Sequence, residues 1–420
     1  MSKVQSPTSL VEDGAPRIMA RLAELARVSE EPEQLTRTYG SPAMRRANDL
    51  VGGWMREAGM TVREDALGNL LGRYEATRPG AKSFLLGSHL DTVRNAGAFD
   101  GPLGVILAIE CVAQWHARKT SLPFALEVIG FCDEEGVRFH STYHGSRALA
   151  GTLTEADLQR VDENGLSLAD AIRQFGGTPE KISTAQCNPN KLLGYAEVHI
   201  EQGPVLEQAQ HAVGVVTAIA GQSRVKIRLT GQAGHAGTTP MNLRRDALCA
   251  AAEFIAAVET HASSIAGLVA TVGQIQVAPG ASNVIPGEAR LTLDVRHQND
   301  SARLEAGQYL QSVTEDIGRR RGVFVLWETV METASVPCDS ELTALLKSAV
   351  ENHQPEVIEL PSGAGHDAAV MGQITPAVML FVQCRDGLSH HPDESVRVEN
   401  VAVALDVMND FLQLLAERHA

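Results

Sequence analysis

Three apolar segments of this chain each end in polar residues, and helix-like stretches separate them. The segments begin at Phe84, Phe124 and Leu192. Apolar runs of this kind indicate buried strands, and strands that alternate with helices imply a mostly parallel, mixed sheet covered by helices. Ligand sites in such folds lie at the carboxyl ends of the strands. The chain is therefore predicted to be an α/β protein whose site is built from strand ends.

The first strand end carries one histidine and two aspartates. His89 and Asp91 follow the apolar run directly, and Asp100 stands in a glycine-flanked turn before a helix-like segment. Histidine and carboxylates gathered in this way are typical of a divalent-metal site. We interpret His89 and Asp100 as metal ligands and Asp91 as the carboxylate that orients the His89 ring. The alternative is a loop with one exposed histidine and two turn aspartates.

The second and third strand ends repeat this arrangement. Glu134 and Glu135 follow the second run, and His199 ends the third. Neighbouring side chains on an extended chain point in opposite directions, so one glutamate can bind a metal while the other faces a different group. A solvated acidic turn and a structural histidine are the alternatives for these residues. Three similar strand ends favour a functional site.

A segment with a different order of predicted strands and helices interrupts the predicted α/β domain. Residues 218–330 alternate between strand and helix patterns in the order βαββαβ, a compact unit in its own right. We predict a catalytic metal-binding domain made of residues 1–217 and 331–420, with 218–330 inserted as a ferredoxin-like lid and dimerisation domain. Its outer strands could pair with a second copy, which predicts a homodimer.

Charge and cysteine usage limit the possible partners and the compartment. The chain has 36 basic and 51 acidic residues, and the net charge of -15 disfavours nucleic acid and anionic membranes as partners. Six scattered cysteines form no close pair, which indicates a reducing cytoplasm rather than a disulfide framework. The first sixteen residues lack the apolar core of a signal peptide, and no apolar run is long enough to cross a bilayer.

Nine short motifs together resemble one enzyme group. The motifs run from Gly87 to Glu394 and are GSHLDTV, GAFDGPLGV, DEEGVRF, HIEQGPVLE, GHAGTTPM, SNVIPG, DVRH, SGAGHDA and GLSHHPDE. As an ordered set they resemble the dinuclear-metal amidohydrolases of the metallopeptidase group that includes aminoacylases and carboxypeptidases. Within that group the chain is most similar to the allantoate amidohydrolase, N-carbamoyl-L-amino acid hydrolase and β-ureidopropionase branch. The resemblance implies an exopeptidase-like catalytic domain.

The resemblance also implies two metal ions in each subunit. We favour one ion held by His89, Asp100 and His199, and a second held by Asp100, Glu135 and His390, with Asp100 bridging the two. Which histidine serves which ion stays open. His390 is chosen over its neighbour because the group's ligand directly follows the serine. Imidazole and carboxylate ligands suit zinc or manganese, and also cobalt or nickel.

The remaining roles follow from the same resemblance. Glu134 is the expected proton shuttle for a metal-activated water, and His235 is expected to reach a partner subunit's active site and stabilise the developing oxyanion. Arg296 is the expected partner of the substrate carboxylate. On the residues alone, Arg296 could instead form a surface ion pair, and His235 could merely close a turn. The further substrate contacts implied are Gln202, Asn283, Gly363 and Ala364.

The expected activity is hydrolysis of a linear C–N bond in a small carboxylate that bears a ureido group. Allantoate or an N-carbamoyl-L-amino acid would release ammonia and CO2. One alternative is an aminoacylase or dipeptidase, for which Arg296 would bind a carboxylate equally well. Another is a catalytically silent dimeric binding protein, which is disfavoured because Glu134 and every expected ligand are present.

Overall fold

The computed structural model describes residues 14–419, which form two compact units. The first unit takes the described chain as far as Thr217, then Cys338–Leu360 and the chain from Gly365 onward; the second is Ala218–Pro337 with Pro361–Ala364. The inserted domain was expected to end at residue 330, whereas the second unit extends to Pro337. The reason is that a strand continues to Thr333, and Val336–Pro337 then pairs with residues 218–219.

Strands and helices alternate along the first unit and again within the second. The strands are, in chain order, β1 Thr61–Glu64, β2 Leu70–Tyr74, β3 Ser83–His89, β4 Ala125–Phe131, β5 Leu192–Ile200, β6 Val213–Ile219, β7 Gly221–Thr230, β8 Gly234–His235, β9 Val269–Ala278, β10 Val284–Ile285, β11 Glu288–His297, β12 Phe324–Thr333, β13 Val336–Pro337, β14 Glu359–Ser362 and β15 Ala377–Val382. The α-helices are α1 Gly14–Leu25, α2 Pro42–Glu57, α3 Pro102–Ala117, α4 His144–Ala150, α5 Glu155–Leu158, α6 Leu168–Phe175, α7 Val205–Ala209, α8 Ala247–Ser263, α9 Asp300–Arg321, α10 Ser340–Glu351, α11 Asp367–Met371 and α12 Val398–Arg418. Between Gly14 and His419, no helix has the length and apolar content needed to span a bilayer.

The first unit is built on a mixed sheet in the order β1-β2-β4-β3-β5-β15-β6. Strands β4, β3, β5 and β15 run parallel in the centre, and the flanking pairs are antiparallel. Helix α3 packs against β3, β4 and β5, while α12 packs against α1, α3 and α10. This arrangement confirms the predicted α/β class, and it confines the parallel pairing to the middle of the sheet.

Strand β3 lies at the heart of this sheet, and every one of its residues is buried. The Phe84 ring packs against Phe124 and Phe411, with ring centroids 6.2 and 5.7 Å away. Burying a side chain of this size contributes about 1.5–3 kcal/mol to stability. The apolar run thereby anchors the strand, and its carboxyl end presents His89 at the edge of the sheet.

The second unit carries a four-stranded antiparallel sheet in the order β12-β7-β11-β9. The chain order β7-α8-β9-β11-α9-β12 is the βαββαβ arrangement. Both helices pack on this sheet, and from Ser223 onward β7 alternates between buried and exposed residues. Val225, Ile227 and Leu229 point into the core, so Arg224 and Lys226 lie on the open face.

Candidate metal centre

The residues singled out at the strand ends meet within the first unit. His89 ends β3, Glu134 and Glu135 follow β4, and His199 lies in β5. These three strands are neighbours and run parallel, so their carboxyl ends lie along one edge of the sheet. The loop between β3 and α3 adds Asp100, and the segment after β15 adds His390. Local sequence pattern and strand order together assemble the site.

Asp100 lies at the centre of this cluster. Its Oδ1 atom is 3.5 Å from His89 Nε2 and 3.1 Å from His199 Nε2. Its Oδ2 atom is 3.3 Å from His390 Nε2, which in turn is 3.5 Å from Glu135 Oε1. Each oxygen of one carboxylate therefore faces a different ligand set, as a bridging aspartate would require.

The cluster has the donor chemistry of a divalent-metal site. Potential ligand atoms lie within 4.8 Å of one another in the triads His89–Asp100–His199 and Asp100–Glu135–His390, and in a third that joins His89 with Glu134 and Glu135. Histidine nitrogen and carboxylate oxygen are ligands suited to divalent transition metals. The two triads that share Asp100 are the sets predicted from the sequence, and their role as ligands remains a prediction.

Charge crowding also suits a bound cation. Burial, followed by the negative charge of Asp100, raises the pKa of Glu135 to about 7. Burial alone would raise the pKa of Asp100, but the charge of His199 and hydrogen bonds with the three histidines hold it well below its usual value. The hydrogen bond to Asp100 raises the pKa of His390 to about 9. A bound cation would therefore lower the pKa of Glu135, because positive charge favours its ionised form.

Asp91 lies beside His89, but its backbone carbonyl, rather than the carboxylate expected from the sequence, makes the hydrogen bond to the ring. The Nδ1 atom of His89 is 3.0 Å from the backbone carbonyl of Asp91, whereas the Asp91 carboxylate is 3.6 Å away. That carboxylate instead accepts hydrogen bonds from the backbone N–H groups of Glu134 and Glu135, at 2.9 and 3.1 Å. Asp91 therefore orients the ring through its main chain and fixes the glutamate segment through its side chain.

The loop after β3 requires a glycine at position 101. Gly101 has φ +80°, and a Cβ atom there would lie 2.4 Å from the ring of His89. Only glycine adopts this conformation easily and leaves room for the imidazole. The DG pair of the sequence therefore places Asp100 against His89 before helix α3 begins.

Residues 85–414 of the chain match the family described as peptidase family M20/M25/M40. The chain belongs to this family. The match covers most of both units, including all the residues of the proposed metal cluster, and only β1, β2 and the start of β3 precede it among the strands. This family match confirms the metallopeptidase group to which the sequence motifs are similar.

Several proteins similar to this M20 chain in sequence or structure are named for amide hydrolysis. The N-carbamoyl-L-amino acid amidohydrolase of Geobacillus stearothermophilus is 42% identical over 402 residues, which cover 96% of this chain and 98% of the relative. The allantoate deiminase of Arabidopsis thaliana is 40% identical over 426 residues, covering 94% and 81%. The crystal structure of an amidase of the hydantoinase/carbamoylase family from Burkholderia multivorans superposes with a TM-score of 0.90 at 32% identity, covering 95% of this chain and 97% of that one.

Several residues that support the M20 centre were missed by the sequence analysis. Glu394 accepts hydrogen bonds from the backbone N–H groups of Phe99 and Asp100, at 2.8 and 3.0 Å. Ser389 bonds both Asp100 and Glu394. The sequence signal was available, because Ser389 and Glu394 flank His390 in the motif GLSHHPDE. Their contribution is to hold the bridging carboxylate in place.

A second missed group lies behind His199. The ring of His366 packs edge-on against that of His199, with centroids 4.5 Å apart. Glu197, fully buried in β5, accepts hydrogen bonds from Ser88 and from the hydroxyl of Tyr195. The one local sign of this network was the glutamate two residues before His199, because a carboxylate is unusual in a strand that is mostly apolar.

Gln202 lies in the first unit and contacts a predicted ligand. Its amide donates a 2.8 Å hydrogen bond to Oδ2 of Asp100, and its backbone has φ +58°. A left-handed non-glycine residue is uncommon and is often held by function. The structure therefore gives Gln202 a supporting contact with Asp100, and its contact with substrate remains a prediction.

The other predicted substrate residues belong to the second unit. Arg296 donates to both oxygens of Asp294, at 2.9 and 3.0 Å, and to the carbonyl of Gly363 at 2.7 Å. It lines a cavity of about 730 Å³ on the open sheet face, together with Arg224 and Lys226. His235 is exposed and pairs with Val284 in a two-stranded antiparallel ribbon, next to exposed Asn283. The backbone N–H of Ala364 donates a hydrogen bond to the hydroxyl of Ser362. The contact of these residues with substrate remains a prediction.

Proposed function

We propose that this protein hydrolyses a linear C–N bond in a ureido-bearing carboxylate, either allantoate or an N-carbamoyl-L-amino acid, with release of ammonia and CO2. The observation that carries the proposal is the pair of ligand triads sharing Asp100, with Glu134 beside them. Relatives named for these two substrates span nearly the whole chain and support the choice of substrate class.

The centre is proposed to hold two divalent ions, zinc or manganese, with cobalt or nickel also compatible with its ligands. When bound, such ions activate a water molecule and polarise the carbonyl under attack. Glu134 then accepts the proton of that water on its carboxylate and transfers it to the leaving nitrogen as the C–N bond breaks. Burial raises the pKa of Glu134, which suits a group that must both take up and release a proton.

An ammonia-release assay tests this proposal. The metal-loaded protein is offered allantoate, N-carbamoyl-L-amino acids, their D-enantiomers, N-acyl amino acids and dipeptides. We expect turnover of the ureido acids, since their carbonyl and carboxylate match the cleavage chemistry and the arginine proposed below. Release of amino acids from dipeptides alone would overturn the assignment in favour of a peptidase.

Arg296 is proposed to bind the substrate carboxylate. The guanidinium group is half-buried, lines the cavity of the second unit, and keeps its planar donor array aligned by Asp294. An arginine can bind a carboxylate through two parallel hydrogen bonds, whereas a lysine offers a single point charge. Because the Nε–Nη2 edge already pairs with Asp294, the remaining N–H groups of Nη1 and Nη2 are the ones proposed to bind the substrate carboxylate.

Replacing Arg296 by lysine is expected to raise KM about 10- to 100-fold, because a charge-assisted bidentate contact contributes about 1.5–3 kcal/mol. We expect kcat to fall much less than kcat/KM. Arg290→Lys is the matched control, since Arg290 lies on the same strand and pairs with Glu288. Steady-state kinetics with an N-carbamoyl-L-amino acid measure both values, and an unchanged KM in the Arg296 variant would remove this role.

A homodimer formed through the second unit is also proposed. Strands β12 and β9 are the edges of its sheet, and both expose large apolar side chains, including Phe324 at 69% and Val269 at 56%. Exposed edges of this kind are suited to pairing with another copy. In such a dimer, His235 would act on the partner's substrate as an oxyanion donor. Sedimentation equilibrium that gives the mass of one chain would exclude the dimer.

A cytoplasmic location is proposed from the state of the cysteines. The six thiols are all free, and three of them, Cys111, Cys132 and Cys384, are buried. Unpaired thiols persist in a reducing compartment, whereas exported proteins tend to form disulfides. Fractionation of cells that express the protein tests this location, and recovery in an oxidising compartment would contradict it.

A further inference from the structure

Tyr143 lies beside the segment that carries Glu134 and Glu135. The backbone N–H of Tyr143 donates to the carbonyl of Glu134 at 3.0 Å, which ties the two residues together. Its side chain is half-buried, and among residues 14–419 its hydroxyl makes no hydrogen bond. A phenol hydroxyl without a protein partner, on a residue whose backbone is bonded to that of the proposed base, is free to serve a ligand.

The position of Tyr143 is fixed by its neighbours. The residue has φ +64° and ψ +26°, a left-handed conformation that is uncommon for a bulky side chain. His144 secures it from the next position, because its backbone N–H donates to the carbonyl of Asp133 at 2.9 Å and its ring is 2.6 Å from the Asp133 carboxylate. Both of those side chains are buried. The backbone at Tyr143 is therefore held from both sides, through Glu134 and through Asp133.

The phenol reaches the glycine loop that precedes α11. A Cβ atom on Gly365 would lie 1.7 Å from the Tyr143 hydroxyl and 3.0 Å from Cζ. The hydroxyl thus rests directly on Gly365, an exposed residue of the first unit, and any larger side chain there would displace it. Burial and the charges of Glu134 and Asp367 raise the pKa of Tyr143, so the phenol keeps its proton and can only donate or accept a hydrogen bond.

We propose that the Tyr143 hydroxyl contacts the substrate and donates a hydrogen bond to the oxygen of the scissile ureido carbonyl. This inference rests on the proposed ureido hydrolysis and adds a residue to it. Negative charge builds on that oxygen during attack, and a positioned donor stabilises it more in the transition state than in the ground state. The phenol keeps its proton throughout, so the step adds no proton transfer to that of Glu134. Gly365 serves to leave space for the hydroxyl.

Replacing Tyr143 by phenylalanine removes the donor and keeps the ring against Gly365. We expect kcat/KM for an N-carbamoyl-L-amino acid to fall about 10²-fold, as for loss of one oxyanion donor, with most of the loss in kcat. Metal content, melting temperature and the limbs of the pH profile should stay unchanged. Tyr74→Phe is the matched control, because the Tyr74 hydroxyl makes only a 3.4 Å contact with the carbonyl of Thr120.

A double-mutant cycle sharpens the test. Gly365→Ala should displace the phenol and lower kcat/KM in the wild-type background, yet add little in the Tyr143→Phe background, where the hydroxyl is already gone. Retention of kcat/KM within about twofold in Tyr143→Phe would overturn the inference, as would additive effects in the cycle. A pH profile of Tyr143→Phe in which the acid limb shifts while the maximal kcat/KM is unchanged would also overturn the inference. In that case the phenol would act by changing the protonation of Glu134. If the wild type hydrolyses no ureido acid at all, the proposed function fails instead.

Discussion

Replacing Glu134 by glutamine is expected to lower kcat about 10³-fold while leaving both metal content and fold intact. Glutamine has the size of glutamate but cannot accept a proton, and general base catalysis contributes about 10²- to 10⁴-fold. A carboxylate oxygen of Glu134 lies within 4.8 Å of a ring nitrogen of His89 and of a carboxylate oxygen of Glu135. The backbone N–H of Glu134 donates a hydrogen bond to the Asp91 carboxylate. The Glu134 carboxylate therefore lies within the cluster that is proposed to hold the metal ions.

The control for this variant is Glu110→Gln. Glu110 is also buried in the first unit, but it pairs with Arg17 at 2.7 Å and lies outside the proposed metal cluster. We expect kcat of the Glu110 variant to stay within about twofold, even where its melting temperature falls, because catalysis does not use this carboxylate. Single-turnover and steady-state ammonia release measure the effect. A Glu134→Gln enzyme that keeps a tenth or more of kcat would assign the proton transfer to another group.

Replacing Asp100 by asparagine is expected to abolish turnover by removing bound metal. Both carboxylate oxygens face histidines that are proposed as ligands, and an asparagine supplies a single carbonyl oxygen with no charge. The two ligand sets would lose their shared member together, so elemental analysis should find less than one ion per chain. Added zinc or manganese should restore wild-type protein stripped by a chelator, but it should not restore the variant.

Asp339→Asn provides the matched control for the bridging aspartate. Asp339 caps helix α10 by accepting from the N–H groups of Glu341 and Leu342, and asparagine is an equally good cap. We expect this variant to keep its metal and its activity. Full turnover by chelated protein, verified as metal-free, would end the dinuclear proposal for the centre and leave Asp100 with a purely structural role.

Much of the first unit could be predicted because its signals are local. The apolar runs of β3, β4 and β5 are visible residue by residue, and a histidine or a carboxylate at the end of each is equally visible. The βαββαβ order of the second unit was predicted from alternating periodicities for the same reason. Its second boundary was placed too early because a two-residue strand such as Val336–Pro337 carries no periodic signal.

The sequence by itself determined which residue types stand at the strand ends, because hydrophobic periodicity and short motifs are properties of neighbouring positions. Only the tertiary structure decided which oxygen of Asp100 faces which histidine, and that the Asp91 carboxylate turns to the Glu134 and Glu135 amides. It also placed Glu394 against Asp100, 294 positions away, and the Tyr143 hydroxyl on Gly365. Such contacts depend on strand order and side-chain direction across the folded chain, which no local pattern encodes.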